Sequence, residues 1–211
     1  MTVCLVITRD RVSYTRLCVT SLEDAGLDVH LVDHGSTWEP MRDYLTNSPH
    51  PVHYRGDQTP RSLWEWEDFR KIVGTQPYLV TDPDVVVDCP PDWLWLDSLR
   101  RELDEHPELV KVGLGLRVDD LPDTRLAAKV REWEAPFWVT WLCPWTLKAP
   151  VDTTLALYRP GAPFGIVPAG RLDVPYVLRH LPWYSDLDEA ETDHYRRSLL
   201  PGSSHWANGG W

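Results

Sequence analysis

The stretch Tyr78 to Asp88, YLVTDPDVVVD, sets two aspartates, Asp82 and Asp84, on either side of Pro83 and between two apolar runs. A carboxylate at the end of a buried strand costs desolvation free energy unless something positive meets it. Two carboxylates this close are a hard-oxygen donor pair, which suits a divalent cation. Pro83 stiffens the link between them. A second aspartate turn, Asp33 with His34, Gly35 and Ser36, closes the apolar run LDVHLVD. The plainer reading of each is a turn aspartate bonded to its own backbone.

The elements that must position these residues follow from pattern. TVCLVITR is a near-continuous apolar run, as in a strand buried on both faces. In SYTRLCVTSLEDAG, residues Leu17, Cys18, Leu22 and Ala25 recur at helical spacing, with Ser13 placed to cap the start and Gly26 to end the helix. With the strand LDVHLVD this makes a β-α-β unit, which requires a right-handed crossover and a parallel sheet. EPMRDYLTN predicts a short helix, Val52 to Tyr54 a third strand, PRSLWEWEDFRKIVG a helix in mixed register, and YLVTDPDVVVD the fourth strand. Ligands of open α/β sheets bind beyond the carboxyl ends of the strands, so Asp33 and Asp82/Asp84 should converge on one crevice. PDWLWLDSLRRELDEHPEL predicts a helix from near Pro91 to Pro107, and VKVGLGLRV a strand. Beyond Asp119 prolines, tryptophans and short apolar pieces alternate, which predicts irregular structure with a few strands and helices over the sheet.

The chain of 211 residues is expected to form one domain around one core. No apolar run is long enough to span a bilayer, and MTVCLVI has no basic leader pattern, so the expectation is a cytoplasmic protein without a stable membrane anchor. The four cysteines are spread singly, without the close pairs of a zinc or redox motif, and read as reduced thiols. A net charge of −11 argues against a nonspecific grip on a polyanion, though it leaves room for local basic patches. Residues Arg9, Arg11 and Arg16, and Arg125, Lys129 and Arg131, are candidates for them.

The segment VCLVITRDRVSYTRLCVTSLEDAGLDVHLVDHGST resembles the opening of a family-2-like GT-A fold glycosyltransferase, with its VDNGST-like turn. VTDPDVVVD then falls where that family has its DxD motif. KVGLGLRVDDLPD, WE before FW, VDTTLALYR and RHLPWY resemble a group of small bacterial and phage glycosyltransferases. The resemblance implies a single α/β GT-A (Rossmann-like) domain with a mostly parallel central sheet flanked by helices and an irregular C-terminal acceptor-side lobe. Residues 1–118 would bind the nucleotide sugar and residues 119–211 would carry the acceptor and catalytic side.

The activity implied is that of a hexosyltransferase, moving a sugar from a nucleoside diphosphate, UDP foremost, with Mn2+ or Mg2+. Thr8, Arg9 and Asp33 would line the nucleotide pocket, since a carboxylate accepts hydrogen bonds from a uracil N–H or a ribose hydroxyl. Asp82 and Asp84 would take the metal, with Asp82 also placed to meet the ribose and His180 as a third ligand. Arg61 and Arg179 are cationic candidates for the phosphates. Asp119 and Asp120 would hold the donor sugar, and Asp152 or Glu134 would act as catalytic carboxylate. Trp133, Trp138, Trp183 and Tyr184 are stacking candidates, against the plainer reading of core packing. Asn208, Gly209 and Gly210 suggest a tail that closes over the site.

The acceptor is open between a glycan, which is favoured, and a hydroxymethylated base in phage DNA. A nucleotidyltransferase is disfavoured because ITRDRVSYTRL contains no glycine. A non-catalytic carbohydrate-binding protein of the same fold is the remaining rival, and the oligomeric state is not fixed by the sequence.

Overall fold

The computed structural model describes residues 1–56, 59–89, 94–165 and 167–199. The first half runs β1 (Val3–Thr8), α1 (Val12–Glu23), β2 (Asp28–Asp33), α2 (Glu39–Thr46), β3 (Val52–Tyr54), α3 (Ser62–Glu65), α4 (Phe69–Val73), β4 (Tyr78–Thr81), β5 (Val85–Asp88), α5 (Leu94–Glu105) and β6 (Lys111–Leu116). The second half adds α6 (Arg125–Glu134), a 3-10 turn (Ala135–Trp138), β7 (Trp141–Cys143), β8 (Thr146–Lys148), β9 (Ala156–Tyr158), β10 (Ala169–His180), a 3-10 turn (Leu181–Trp183) and α7 (Glu189–Ser198).

The strands form one sheet in the order β3-β2-β1-β4-β9-β6-β10-β8-β7, with β5 paired to β10. Strands β1 to β4, β6 and β10 run in one direction, and β9 is inserted antiparallel between β4 and β6. Two apolar layers follow from the period of two along a strand. Cys4 and Val6 of β1 pack with Cys18 and Leu22 of α1, while Leu5 and Ile7 face the other layer with Leu63, Phe69 and Val73 from α3 and α4. Both faces are covered, which is why β1 reads as an unbroken apolar run.

Register places the carboxyl ends together: Thr8 lies opposite Asp33, and Asp33 opposite Tyr54. The second half is more regular than its proline-rich sequence suggests, since it supplies four strands to the same sheet. Gly115 of β6 is needed for this packing, because a Cβ there would sit 2.7 Å from the Leu172 carbonyl oxygen and 2.8 Å from the Trp138 ring.

Three local expectations change. Ser13 does not cap α1, which starts at Val12; the Ser13 N–H donates instead to Glu191 Oε2 of α7 at 2.8 Å. The predicted helix over 60–74 breaks at Trp66, which is extended (ψ 126°), so α3 and α4 can bury Leu63 and Phe69 on one layer. YLVTDPDVVVD is two strands rather than one: Asp82-Pro83-Asp84 turns the chain, and β5 then pairs antiparallel with β10. Pro83 has no N–H for a ladder and disfavours helix before it, so a turn is the natural outcome. Gly26 has φ 66° just past α1, as a helix stop requires. Pro91 and the glycines of the predicted tail lie outside the described residues. No helix among the described residues is long and apolar enough to cross a membrane.

Candidate active site

The Asp82–Asp84 turn leaves β4 at the carboxyl edge of the sheet. The Asp82 N–H donates to the Thr153 carbonyl at 2.9 Å, and the Thr153 hydroxyl donates to Asp82 Oδ2 at 2.7 Å. Burial, and then the neighbouring Asp84 charge, push the Asp82 carboxyl up to about 8, against the Thr153 hydrogen bond and the Lys111 charge. Lys111 is itself 3% exposed, donating to the Asp152 carbonyl at 3.0 Å and to the Tyr158 hydroxyl at 3.1 Å. Its burial lowers the ammonium to about 8 despite Asp152 and Asp82.

Asp84 stands between two groups at longer range. His180 Nε2 lies 3.6 Å from its Oδ1, and Arg11 Nη1 lies 3.6 Å from its Oδ2. Its backbone carbonyl accepts from the Leu181 N–H at 2.8 Å, which fixes the end of β10 beside it. His180 is buried against the Trp183 ring at 4.6 Å, and its Nδ1 has no hydrogen-bond partner in another described residue. Burial lowers the His180 pKa, with Asp84 opposing and Arg11 reinforcing the shift, so the neutral imidazole is favoured. Arg11 is flanked by the Tyr14 ring at 4.1 Å and the Tyr195 ring at 4.6 Å.

Beside this turn, α7 lies across the ends of β1 and β2. The Arg9 guanidinium donates to the Ser198 carbonyl. Asp10, fully buried, accepts from the N–H groups of Thr37 at 2.7 Å and Trp38 at 2.8 Å, and faces His194 of α7 at 3.6 Å. Its φ of 51° is left-handed, a conformation that Asp tolerates better than most residues. Thr8 shares a hydroxyl contact with Thr15 at 2.7 Å. Asp33 is buried, with its carboxylate accepting from the Ser36 N–H at 3.1 Å and from the Ser36 hydroxyl. That is the bonding of a turn aspartate.

Of the predicted residues, Asp82, Asp84, His180 and Asp152 meet at one turn, while Thr8, Arg9 and Asp33 line the adjoining edge under α7. Asp152 is exposed next to Thr153 and contributes to the field at both Asp82 and Lys111. Asp120 bonds Arg179 Nη2 at 2.5 Å and the Tyr184 hydroxyl at 2.7 Å, and Arg179 Nε also donates to Asp88 at 2.8 Å. Asp119 is exposed and faces Arg117 at 3.6 Å.

Glu134 is buried in a 2.6 Å pair with Arg171, whose Nε donates to the Pro150 carbonyl at 2.8 Å. Burial raises the Glu134 pKa against the pull of Arg171. Arg61 is not brought to the turn; it pairs with Glu65 at 2.7 Å on the surface. Trp183 is buried at 3%, whereas Trp133 is 48% exposed.

Asp10, Lys111, Thr153, Tyr195 and Glu191 were not singled out by sequence. Only the Asp between two arginines in TRDR, and a Lys opening an apolar strand, hinted at two of them. A cavity of about 340 Å3 lies elsewhere, lined by Ser98, Arg101, Trp145, Leu172 and Tyr176 among others.

A divalent ion fits part of the predicted donor set. Asp84 and His180 face each other, with His180 Nε2 turned to the carboxylate at 3.6 Å as the nitrogen that could take an ion. Asp82 is held by Thr153 instead.

No family model and no curated protein matches the sequence. Among solved structures, S. aureus TarS superposes with a TM-score of 0.52 at 12% identity, covering 93% of this chain and 39% of that one. GalNAc-T7, crystallised with UDP, GalNAc and Mn2+, gives a TM-score of 0.52 at 11% identity, covering 93% and 48%. The fold is GT-A. The chain spans less than half the length of either structure.

Proposed function

We propose that this chain is a metal-dependent glycosyltransferase that moves a sugar from a UDP-sugar to a hydroxyl acceptor, a glycan foremost. The observation that carries this reading is the Asp82-Pro83-Asp84 turn at the carboxyl edge of a GT-A sheet, with His180 and Arg11 both 3.6 Å from Asp84. Asp84 and His180 would hold Mn2+ or Mg2+, which when bound neutralises the diphosphate as the sugar leaves it.

Arg11 supplies a fixed cation beside that position, flanked by the Tyr14 and Tyr195 rings. Thr153 and Lys111 hold Asp82 and the 152–153 backbone to the turn. Asp152 is the exposed carboxylate at that rim, so it rather than the closed Glu134–Arg171 pair takes the proton of the acceptor hydroxyl. Arg9 and Asp10 are engaged by α7, so a nucleotide reaching Asp33 displaces the α7 contacts.

A glycan is preferred over a DNA base because Arg9 and Arg11 are each 8% exposed, which withdraws them from any surface patch for phosphates. The test is hydrolysis of a panel of nucleotide sugars with and without Mn2+, beside Asp84→Ala. Turnover of one UDP-sugar that needs Mn2+ and disappears in the variant is expected. Absence of both turnover and UDP binding with any metal would overturn the transferase reading in favour of a binding protein.

A further inference from the structure

Away from that crevice, the β7–β8 hairpin brings Cys143 to Glu102 and His106, a pair one helical turn apart at the end of α5. A carboxylate oxygen of Glu102, a ring nitrogen of His106 and Cys143 Sγ all lie within 4.8 Å of one another, the one such group among the described residues. Cys143 Sγ is 3.4 Å from Glu102 Oε2, and His106 Nε2 is 3.7 Å from the same oxygen. Ligands arranged tetrahedrally at Zn–S of about 2.3 Å and Zn–N/O of about 2.0–2.1 Å stand roughly 3.3–3.6 Å apart. The two separations from Glu102 Oε2 are within a few tenths of an ångström of that figure, before any ion draws the group in.

Two further features match a metal centre. His106 Nδ1 faces Glu108 Oε1 at 3.3 Å, the outer carboxylate that orients a ligand imidazole and presents its other nitrogen inward. Glu102 is completely buried, and its nearest full cation, Arg101, is no closer than 3.5 Å. Thr146 of β8 donates to Glu102 Oε2 at 2.7 Å and holds that carboxylate toward the hairpin. His106 keeps 22% of its side chain exposed and Cys143 is half-buried, which gives an ion a way in.

We propose that Glu102, His106 and Cys143 form a site for Zn2+, separate from the donor-metal site at Asp84, with a water in the fourth position. The thiolate and imidazole select a borderline-soft ion over the hard cations that suit Asp84. Binding forms an S–Zn bond and releases the Cys143 thiol proton to solvent, one proton per ion. The ion would tie α5 to the β7–β8 hairpin at the edge of the sheet, so it acts on stability.

The experiment is titration of the chelator-treated full chain with Co2+ and then Zn2+. The expected result is one Co2+ per chain with thiolate-to-cobalt charge-transfer absorption, displaced by Zn2+, and a rise in Tm with Zn2+. Cys143→Ser and His106→Ala should each abolish the absorption and the Tm rise, and Asp84→Ala should keep both. Glu108→Gln should weaken binding by about 10–100-fold. Should His106→Ala fail to fold, Cys143→Ser, which changes one atom, carries the same comparison. Absence of the charge-transfer band, or a band that survives Cys143→Ser, would overturn the site. None of these readouts depends on transferase activity.

Discussion

Glu134 and Asp84 are both withdrawn carboxylates with a cation beside them, yet they are held in opposite ways. Glu134 meets Arg171 at 2.6 Å, and Arg171 spends its Nε on Pro150 and lies over the Phe137 ring at 4.9 Å. The carboxylate and the guanidinium are there paired at hydrogen-bond distance. Asp84 has Arg11 and His180 at 3.6 Å each, beyond hydrogen-bond distance, and the adjacent Asp82 is driven toward its neutral form. A closed pair specifies the fold, whereas charges held near but not against one another leave room for a ligand that completes them.

The largest expected effect tests the closed side. Glu134→Ala leaves Arg171 buried without its partner and should cost about 3–5 kcal/mol, read from urea denaturation. A Glu134→Ala variant that keeps its stability and loses only turnover would break the comparison and move Glu134 into the active site.

Asp10 joins the two behaviours, since it is fully buried and satisfied yet sits in left-handed backbone under α7. Asp10→Ala strands the Thr37 and Trp38 N–H groups and adds strain, for a loss of about 2–4 kcal/mol. Asp10→Asn, which tolerates the same φ, should lose less than half of that. Equal losses in the two variants would show that the charge, rather than the turn, holds α7 and the α2 loop together.

Asp82 gives a pH test. Its carboxyl is raised to about 8 in the folded chain, against about 3.9 unfolded, so between those values the folded state binds more protons. Stability from this group is therefore present at low pH and lost as pH rises through the window. Asp82→Asn does not titrate, so its unfolding free energy should match wild type near pH 4 and exceed it by pH 8, by on the order of 1–3 kcal/mol. Lys111 counts only above this window, because its lowered pKa of about 8 separates the two states there. A difference that stays flat from pH 5 to 8 would place Asp82 with Glu134 on the closed side.

What sequence could read was local. The alternation in β1, the Asp33 turn and the Asp82-Pro83-Asp84 turn each depend on neighbours a few residues apart, and their order along the chain sets the parallel edge. What it could not read depends on separation: Glu191 caps α1 across 178 residues, and Thr153 anchors Asp82 across 71. The three prospective zinc ligands show the same limit, because Cys143 meets Glu102 only once β8 pairs with β10 and carries the hairpin to α5. Glu134 has the residue type of a catalytic carboxylate, and only the Arg171 contact shows that it is already engaged.

The smallest effect is expected at Arg61, which residue type alone made a phosphate ligand. Its side chain is 70% exposed, and its i,i+4 contact with Glu65 runs from the residue before a four-residue helix to that helix's last residue. Such pairs contribute about 0.3–0.5 kcal/mol at most, so Arg61→Ala should leave urea stability within about 0.5 kcal/mol. UDP affinity should be unchanged as well, because a solvated guanidinium already paired on the surface has nothing to add at a crevice it does not reach. Arg11→Lys provides the contrast: it keeps the charge but loses the guanidinium contacts with the Tyr14 and Tyr195 rings, and should weaken UDP binding at unchanged ionic strength. If Arg61→Ala weakened UDP binding while Tm stayed fixed, α3 would have to swing toward Asp84 on binding. The open side of the molecule would then extend from the Asp82–Asp84 turn to a helix that now lies outside it.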